Sequence, residues 1–278
     1  MKLLIYFIPF LVIFSQAWAN KIVELTIKPG EVRWVGFPLP SGGAKLFCRD
    51  NEIKFKRIKD KGYVFITESY FSDLKGFSCK IMANSEVFAE INIKVEEKVY
   101  PAEKLKVDPK KIKLSAKDQV RVTEEQAMLA RIYANSNSDF YFMKPFMQPM
   151  SSLITSMYGM RRVYNKEKKG QHLGTDYRAA IGDKVPASNA GKIVFSGDLF
   201  YTGWTVIIDH GLDIFTVYGH LSKTEVTEGQ LVQRGDLIGL SGNTGRTSGP
   251  HLHWGVKVQG QYIDGLVLID ESKKFFKE

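Results

Sequence analysis

The chain has 278 residues, 44% of them hydrophobic, and a formal net charge of +9. Eighteen Phe, twelve Tyr and four Trp exclude a generally disordered chain, and the length suits about two domains. The lysines and arginines are scattered and no nucleic-acid-binding motif accompanies them, so no nucleic-acid partner is expected; the charge reads as attraction to an anionic polymer or as a solvated surface.

The first 19 residues read as an export signal. Lys2 supplies a positive start, Leu3 to Phe14 is a short apolar stretch, and Ala17-Trp18-Ala19 offers small residues at a cleavage site before Asn20. A membrane anchor needs about 20 apolar residues, and this run is shorter. No later segment is apolar and long enough to span a bilayer, so an exported, periplasmic or secreted protein without a stable membrane span is expected. Cys48 and Cys79 are the only cysteines. In an oxidising compartment an even pair suggests a disulfide, with two free buried thiols as the alternative.

Residues 20–98 alternate short β-branched and aromatic runs with turns. Ile22 to Ile27, Tyr63 to Ile66 and Val87 to Val95 are strand-like, which predicts a small β-sandwich. Residues 99–143 form a connector with Pro101, Pro109 and many lysines. In it Thr123-Glu-Glu-Gln126 fits a capping box, predicting a helix over Ala127 to Ala134. Residues 144–270 read as all-β, with strands at Lys192 to Phe195, Thr205 to Ile208 and Ile214 to Tyr218. Tight turns are expected at Gly229, Gly235 and Gly239. Residues 271–278 are expected as a tail. The fold class is thus mainly β, with a short helical connector between the sandwich and a C-terminal antiparallel sheet.

All five histidines fall in the C-terminal segment: His172, His210, His220, His251 and His253. His172 and Asp176 form His-x-x-x-Asp, and the glycines at 170 and 174 favour extended chain there. His251 and His253 form His-x-His. On a strand such residues share one face with roughly 6.6 Å of rise between them, so one ring can bind a metal while the other reaches a water on it. Each motif alone is weak. Together they supply His, Asp and His, and three protein ligands with one open position is the pattern of catalytic zinc. Mixed nitrogen and oxygen donors also suit zinc better than calcium or magnesium.

The runs Gly170-Gln-His-Leu-Gly-Thr-Asp176, Tyr218-Gly-His-Leu221 and Gly242-Asn-Thr-Gly-Arg-Thr-Ser-Gly-Pro-His-Leu-His253 resemble those of the M23 (lysostaphin/LytM-like) metallopeptidases, over about Met150 to Ile269. The Tyr100-Pro101 to Pro109 stretch and Thr155 to Arg162 resemble the two-domain exported members of that family in Gram-negative bacteria. The resemblance implies an antiparallel sheet with a narrow zinc groove and one zinc ion per chain, held by His172, Asp176 and His253. His220 and His251 would be the catalytic pair, one as general base and one stabilising the oxyanion. The implied substrate is the peptide cross-link of peptidoglycan, with the D-alanyl to meso-diaminopimelate bond the leading candidate. Trp204 stands where many members carry Asn, and Gly265 replaces a usual Pro. Tyr218, Trp204 and Arg161 are candidates for the substrate groove, with a packed aromatic as the other reading of Tyr218 and a solvated pair as the other reading of Arg161 and Arg162. His210 is read as structural. The alternative functions are an inactive activator of cell-wall amidases, although such proteins lack ligands that are present here, and a carrier module suggested by the Gly-Gln-Leu-Val hairpin, which lacks an attachment lysine turn. The N-terminal β-domain is expected to regulate or target the enzyme, with no regulatory partner identified.

Overall fold

The computed structural model describes residues 21–105, 114–164 and 168–276. The expected export signal lies outside these residues, as do the lysine-rich 106–113. The first unit is built from β1 (Lys21–Ile27), β2 (Val32–Pro38), β3 (Lys45–Cys48), β4 (Asn51–Ile53), β5 (Lys56–Ile58), β6 (Lys61–Thr67), β7 (Phe77–Ala83) and β8 (Glu86–Val95). They form a five-stranded sheet, β1-β8-β7-β3-β4, and a three-stranded sheet, β2-β6-β5. In β8 the alternation is visible in the burial: Ala89, Ile91, Ile93 and Val95 are buried and Lys94 between them is exposed. These residues meet Val35, Phe37 and Ile66 of the second sheet in one core. Cys48 and Cys79 stand opposite each other in the β3–β7 ladder and are joined as a disulfide. β1 pairs with β8 in parallel, a pairing that strand periodicity does not reveal.

The connector contributes a strand and a longer helix than expected. β9 (Ala102–Leu105) is followed by α1 (Ala116–Tyr133), which begins eleven residues before the predicted Ala127. Ser115 is the N-cap, its hydroxyl accepting from the Asp118 N–H at 3.1 Å, with Asp118 favourably placed in the first turn. Thr123 is therefore inside the helix, and its hydroxyl donates to the Gln119 carbonyl one turn back at 2.9 Å. The longer helix adds contacts that the later start would lack: Val122 is buried, Arg121 donates to Asp198 Oδ2 at 2.8 Å and Glu125 accepts the Phe200 N–H at 2.9 Å, while Met128, Leu129, Ile132 and Tyr133 cover Phe195, Leu199, Ile207, Phe215 and Val217 of the following sheet.

The second unit is a ten-stranded sheet. Its main path runs β10 (Ile154–Ser156), β13 (Thr175–Arg178), β20 (His251–Val258), β17 (Ile214–Thr224), β16 (Gly203–Asp209), β15 (Gly191–Leu199) and β18 (Leu231–Val232). β14 (Lys184–Pro186), β19 (Leu237–Ser241) and β21 (Gln261–Ile263) extend it. The hairpin β11 (Arg161–Tyr164) and β12 (Lys168–Gln171) pairs with β9, which runs parallel to β11. Gly229 and Gly235 adopt φ of +87° and +94°, as expected of turns. Gly239 lies inside β19, and a side chain there would meet the Lys223 carbonyl at 2.8 Å. The close neighbouring strand, rather than a turn, requires that glycine.

The chain ends in α2 (Gly265–Phe275), N-capped by Asp264, so residues 271–275 are helical rather than part of a tail. Gly265 opens the helix because the Trp254 ring packs where a side chain would start, 2.4 Å from a Cβ. Phe275 of α2 packs at a tilt against Trp34 on β2, ring centroids 4.5 Å apart, and Glu271 accepts the Trp34 backbone N–H at 3.0 Å. Val32 and Phe65 of the first unit share a core with Trp254, Leu268 and Ile269 of the second. Apolar burial thus joins the two units into one body. Among the described residues, no helix is long and apolar enough to cross a membrane.

Candidate metal centre

His172 follows β12, Asp176 lies on β13, and His251 and His253 lie on β20. The β13–β20 register puts Asp176 directly opposite His253. Along β20, Leu252 and Trp254 face the core at 0% and 1% exposure, so His251 and His253 share the opposite face. His172 Nε2 lies 3.0 Å from Asp176 Oδ1 and 3.3 Å from His253 Nδ1, and His253 Nδ1 is 2.8 Å from Asp176 Oδ1. The three donor atoms lie within 4.8 Å of one another, so this His/Asp group could hold a metal ion.

The rings of His172, His220 and His251 are each aimed by a bond on Nδ1. His172 Nδ1 lies 3.0 Å from the Met157 carbonyl and 3.1 Å from Ser156 Oγ, so Nδ1–H donates to the carbonyl and Nε2 carries the lone pair. His251 Nδ1 lies 2.8 Å from the Gly249 carbonyl, and its Nε2 is 3.7 Å from Asp176 Oδ1. His220 Nδ1 donates to the Thr244 carbonyl at 2.8 Å, and its ring centre is 4.7 Å from that of His251. His220 reaches this position through a bulge. Between the pairs Trp204↔Leu221 and Val206↔Tyr218, β17 carries one residue more than β16, and His220 there has a φ of +60°. A left-handed conformation at a non-glycine residue costs on the order of 1–3 kcal/mol and is held by its surroundings. Here the His220 N–H is anchored on the Thr202 carbonyl at 2.6 Å.

The electrostatics keep the donors in the forms a cation requires. Burial raises the Asp176 carboxyl, but its hydrogen bonds to His172 and His253 outweigh that and hold it well below the usual carboxylate range. Burial pushes His253 down, and pushes His220 down to about 4 despite its bond to the Thr244 carbonyl. Near neutral pH the carboxylate is therefore ionised and these imidazoles neutral.

The expected groove residues are dispersed. Tyr218 is fully buried, with its hydroxyl accepting from the Ser188 N–H at 2.8 Å and hydrogen-bonded to Thr216 Oγ1 at 3.0 Å. It faces the core because its strand alternates, and it is not a groove residue. Arg161 points to the connector, its Nε donating to the Tyr100 carbonyl at 3.1 Å. Its neighbour Arg162, on the opposite face of β11, is the arginine near the cluster, 3.7 Å from Asp176 Oδ2 and 3.0 Å from Ser156 Oγ. Trp204 is 42% exposed and its N–H donates to Thr244 Oγ1 at 3.0 Å, beside the loop that holds His220. His210 lies away from the cluster, buried between the Ala190 carbonyl and Thr216 Oγ1. Ser156, Thr244, Thr247 and Gly249, whose oxygens meet the histidine Nδ1 atoms, lie within the runs that carry the resemblance but were not singled out in the sequence.

Residues 170–265 match the sequence profile of peptidase family M23, and all five clustered side chains lie within them. The chain is 43% identical over 114 residues to the peptidoglycan DD-endopeptidase ShyA of Vibrio cholerae, a stretch covering 41% of this chain and 26% of that one. It is 42% identical over 111 residues to the DD-carboxypeptidase/endopeptidase Mpg of Neisseria meningitidis, covering 40% of this chain and 26% of the relative. The chain thus spans about a quarter of the length of these curated relatives. A crystal structure of a protein assigned to peptidase M23, from Pseudomonas aeruginosa, superposes with a TM-score of 0.69 at 25% identity, covering 91% of this chain and 97% of that one. Residues 170–265 thus match peptidase family M23, and the chain as a whole shares its fold with a protein assigned to that family.

Proposed function

We propose that the protein is a zinc-dependent endopeptidase that hydrolyses peptide cross-links of bacterial peptidoglycan. The observation that carries this reading is the convergence of His172 Nε2, Asp176 Oδ1 and His253 Nδ1, with the imidazoles of His220 and His251 beside them. Two imidazole nitrogens and one carboxylate oxygen are a zinc donor set, and three ligands leave a position for chemistry. A zinc ion held there supplies Lewis acidity, which acidifies water and polarises the scissile carbonyl.

The chain's own residues do the rest. His220 and His251 each have Nδ1–H tied to a backbone carbonyl, so each offers a lone pair at Nε2. One takes a proton from the attacking water. An imidazole protonated at Nε2 is an N–H donor, suited to a developing oxyanion or to the departing amine. Arg162 and the exposed Trp204 flank the cluster and offer a cation and a flat apolar surface to a peptide. The names of the relatives favour a DD-type cross-link as the scissile bond, and such a substrate places the enzyme outside the cytoplasm, in accord with the export signal expected over residues 1–19.

Digestion of purified peptidoglycan with the full chain, with muropeptides read by mass spectrometry, tests the proposal. Cross-linked dimers should be converted to monomers, and a chelator or His172→Ala should abolish the conversion. Unchanged dimers with zinc-loaded protein would refute it.

A further inference from the structure

The N-terminal unit meets the second unit at the turn that holds His172. We infer that Tyr70 of the N-terminal unit is a positioning residue for the metal centre, acting through the turn Tyr158-Gly159-Met160. This rests on His172 being a metal ligand, as proposed above.

The turn grips the backbone of His172 from both sides. The Gly159 N–H donates to the His172 carbonyl at 2.7 Å, and the His172 N–H donates to the Met160 carbonyl at 2.9 Å. The adjacent Met157 carbonyl accepts from the His172 ring. The orientation of His172 Nε2 therefore follows this one turn.

The turn is in turn fixed from the first unit. The Tyr70 hydroxyl donates to the Gly159 carbonyl at 3.2 Å. The Tyr70 ring packs on Tyr100 with centroids 4.9 Å apart, and Tyr100 lies edge-on to Tyr158 at 5.9 Å. Tyr100 covers Gly159 so closely that a Cβ there would sit 2.1 Å from its ring, and Gly159 has a φ of +84° that only glycine adopts without strain. The Tyr100 hydroxyl donates to the Pro29 carbonyl at 2.6 Å, which ties the stack to the β1–β2 turn. A tyrosine of the N-terminal unit thus sets a turn two hydrogen bonds away from a donor atom. Partners beyond a ligand's own hydrogen bonds commonly alter metal affinity by orienting the ligand.

The test is zinc affinity of the metal-free full chain, measured by competition with a chromogenic chelator. Tyr70→Phe keeps the ring stack and removes the hydroxyl, and should weaken zinc binding roughly three- to tenfold, the range of one hydrogen bond. Tyr70→Ala should weaken it further. Ile81→Val, in the core of the first unit remote from the turn, should lower thermal stability and leave zinc affinity unchanged. Wild-type affinity in Tyr70→Phe would overturn the inference, as would an equal loss of affinity in Ile81→Val, which would make the effect one of global stability. Failure of the wild-type chain to bind zinc, or undiminished binding by His172→Ala, would instead overturn the ligand assignment.

Discussion

His210 gives a prediction whose size follows from its surroundings. The ring is fully buried against Phe146, with Nδ1 2.8 Å from the Ala190 carbonyl and Nε2 2.7 Å from Thr216 Oγ1. Burial pushes its pKa from 6.5 down to about 4, against the hydrogen bond to Ala190. The unfolded chain therefore binds the proton at a higher pH than the folded one. Stability from this residue is complete above about pH 6.5 and falls as pH drops toward 4. Between pH 7.5 and pH 4.5 the loss from this residue is about 2.5 kcal/mol. Urea unfolding of the metal-free protein at both pH values measures it, and metal-free protein keeps zinc release out of the comparison. Other groups titrate in this window, so the readout is the difference between wild type and His210→Gln. The variant is less stable at pH 7.5, because it disturbs a buried hydrogen-bonded pair, but it loses about 2.5 kcal/mol less than wild type on acidification. Parallel pH dependence in the two proteins would refute the assignment of His210 as a buried neutral ring.

Three further outcomes follow from the same geometry. His251→Ala should retain stoichiometric zinc, measured by metal analysis, while its kcat falls at least about a hundredfold, because the ring provides proton transfer rather than ligation. Tyr218→Phe should lower unfolding free energy by about 1–3 kcal/mol, since it leaves the buried Ser188 N–H without its acceptor, yet leave KM near the wild-type value, because the side chain faces the core. Replacing both Cys48 and Cys79 by Ala opens a sequence separation of 31 residues and should cost about 3.5 kcal/mol in denaturant unfolding, with zinc affinity unchanged.

Two short spacings singled out His172, Asp176, His251 and His253 in the sequence, and the fold brings these side chains together. His-x-His on a strand fixes a shared face, and β20 obeys it. His172 and Asp176 were legible as a pair, but their meeting with His253 depends on the β13–β20 register, which no local pattern specifies. His220 has no spacing rule of its own. It arrives through a bulge and a left-handed backbone that hydrophobic periodicity does not encode, so only resemblance pointed to it. Arg161 and Arg162 are adjacent, and period two sends one to the connector and the other to the carboxylate, so choosing between them requires the face of β11. Tyr218 follows the same logic, in that the sequence left it open between the groove and a packed aromatic, and the face of β17 makes it the latter. In the fold, the strands were legible from β-branched runs, whereas the first turns of α1 are held by the long-range bonds of Arg121 to Asp198 and of Glu125 to the Phe200 N–H, which no local pattern announces. The parallel pairs β1–β8 and β9–β11 and the docking of α2 on Trp34 are long-range events without local signature.

Anomalous diffraction at the zinc absorption edge, from crystals of the zinc-loaded full chain, would locate the metal. A single strong peak is expected about 2.0–2.2 Å from His172 Nε2, Asp176 Oδ1 and His253 Nδ1, with no protein atom of His220 or His251 in bonding contact. A peak ligated by His220 or His251 in place of any of those three, or no peak among the five side chains, would contradict the ligand assignment.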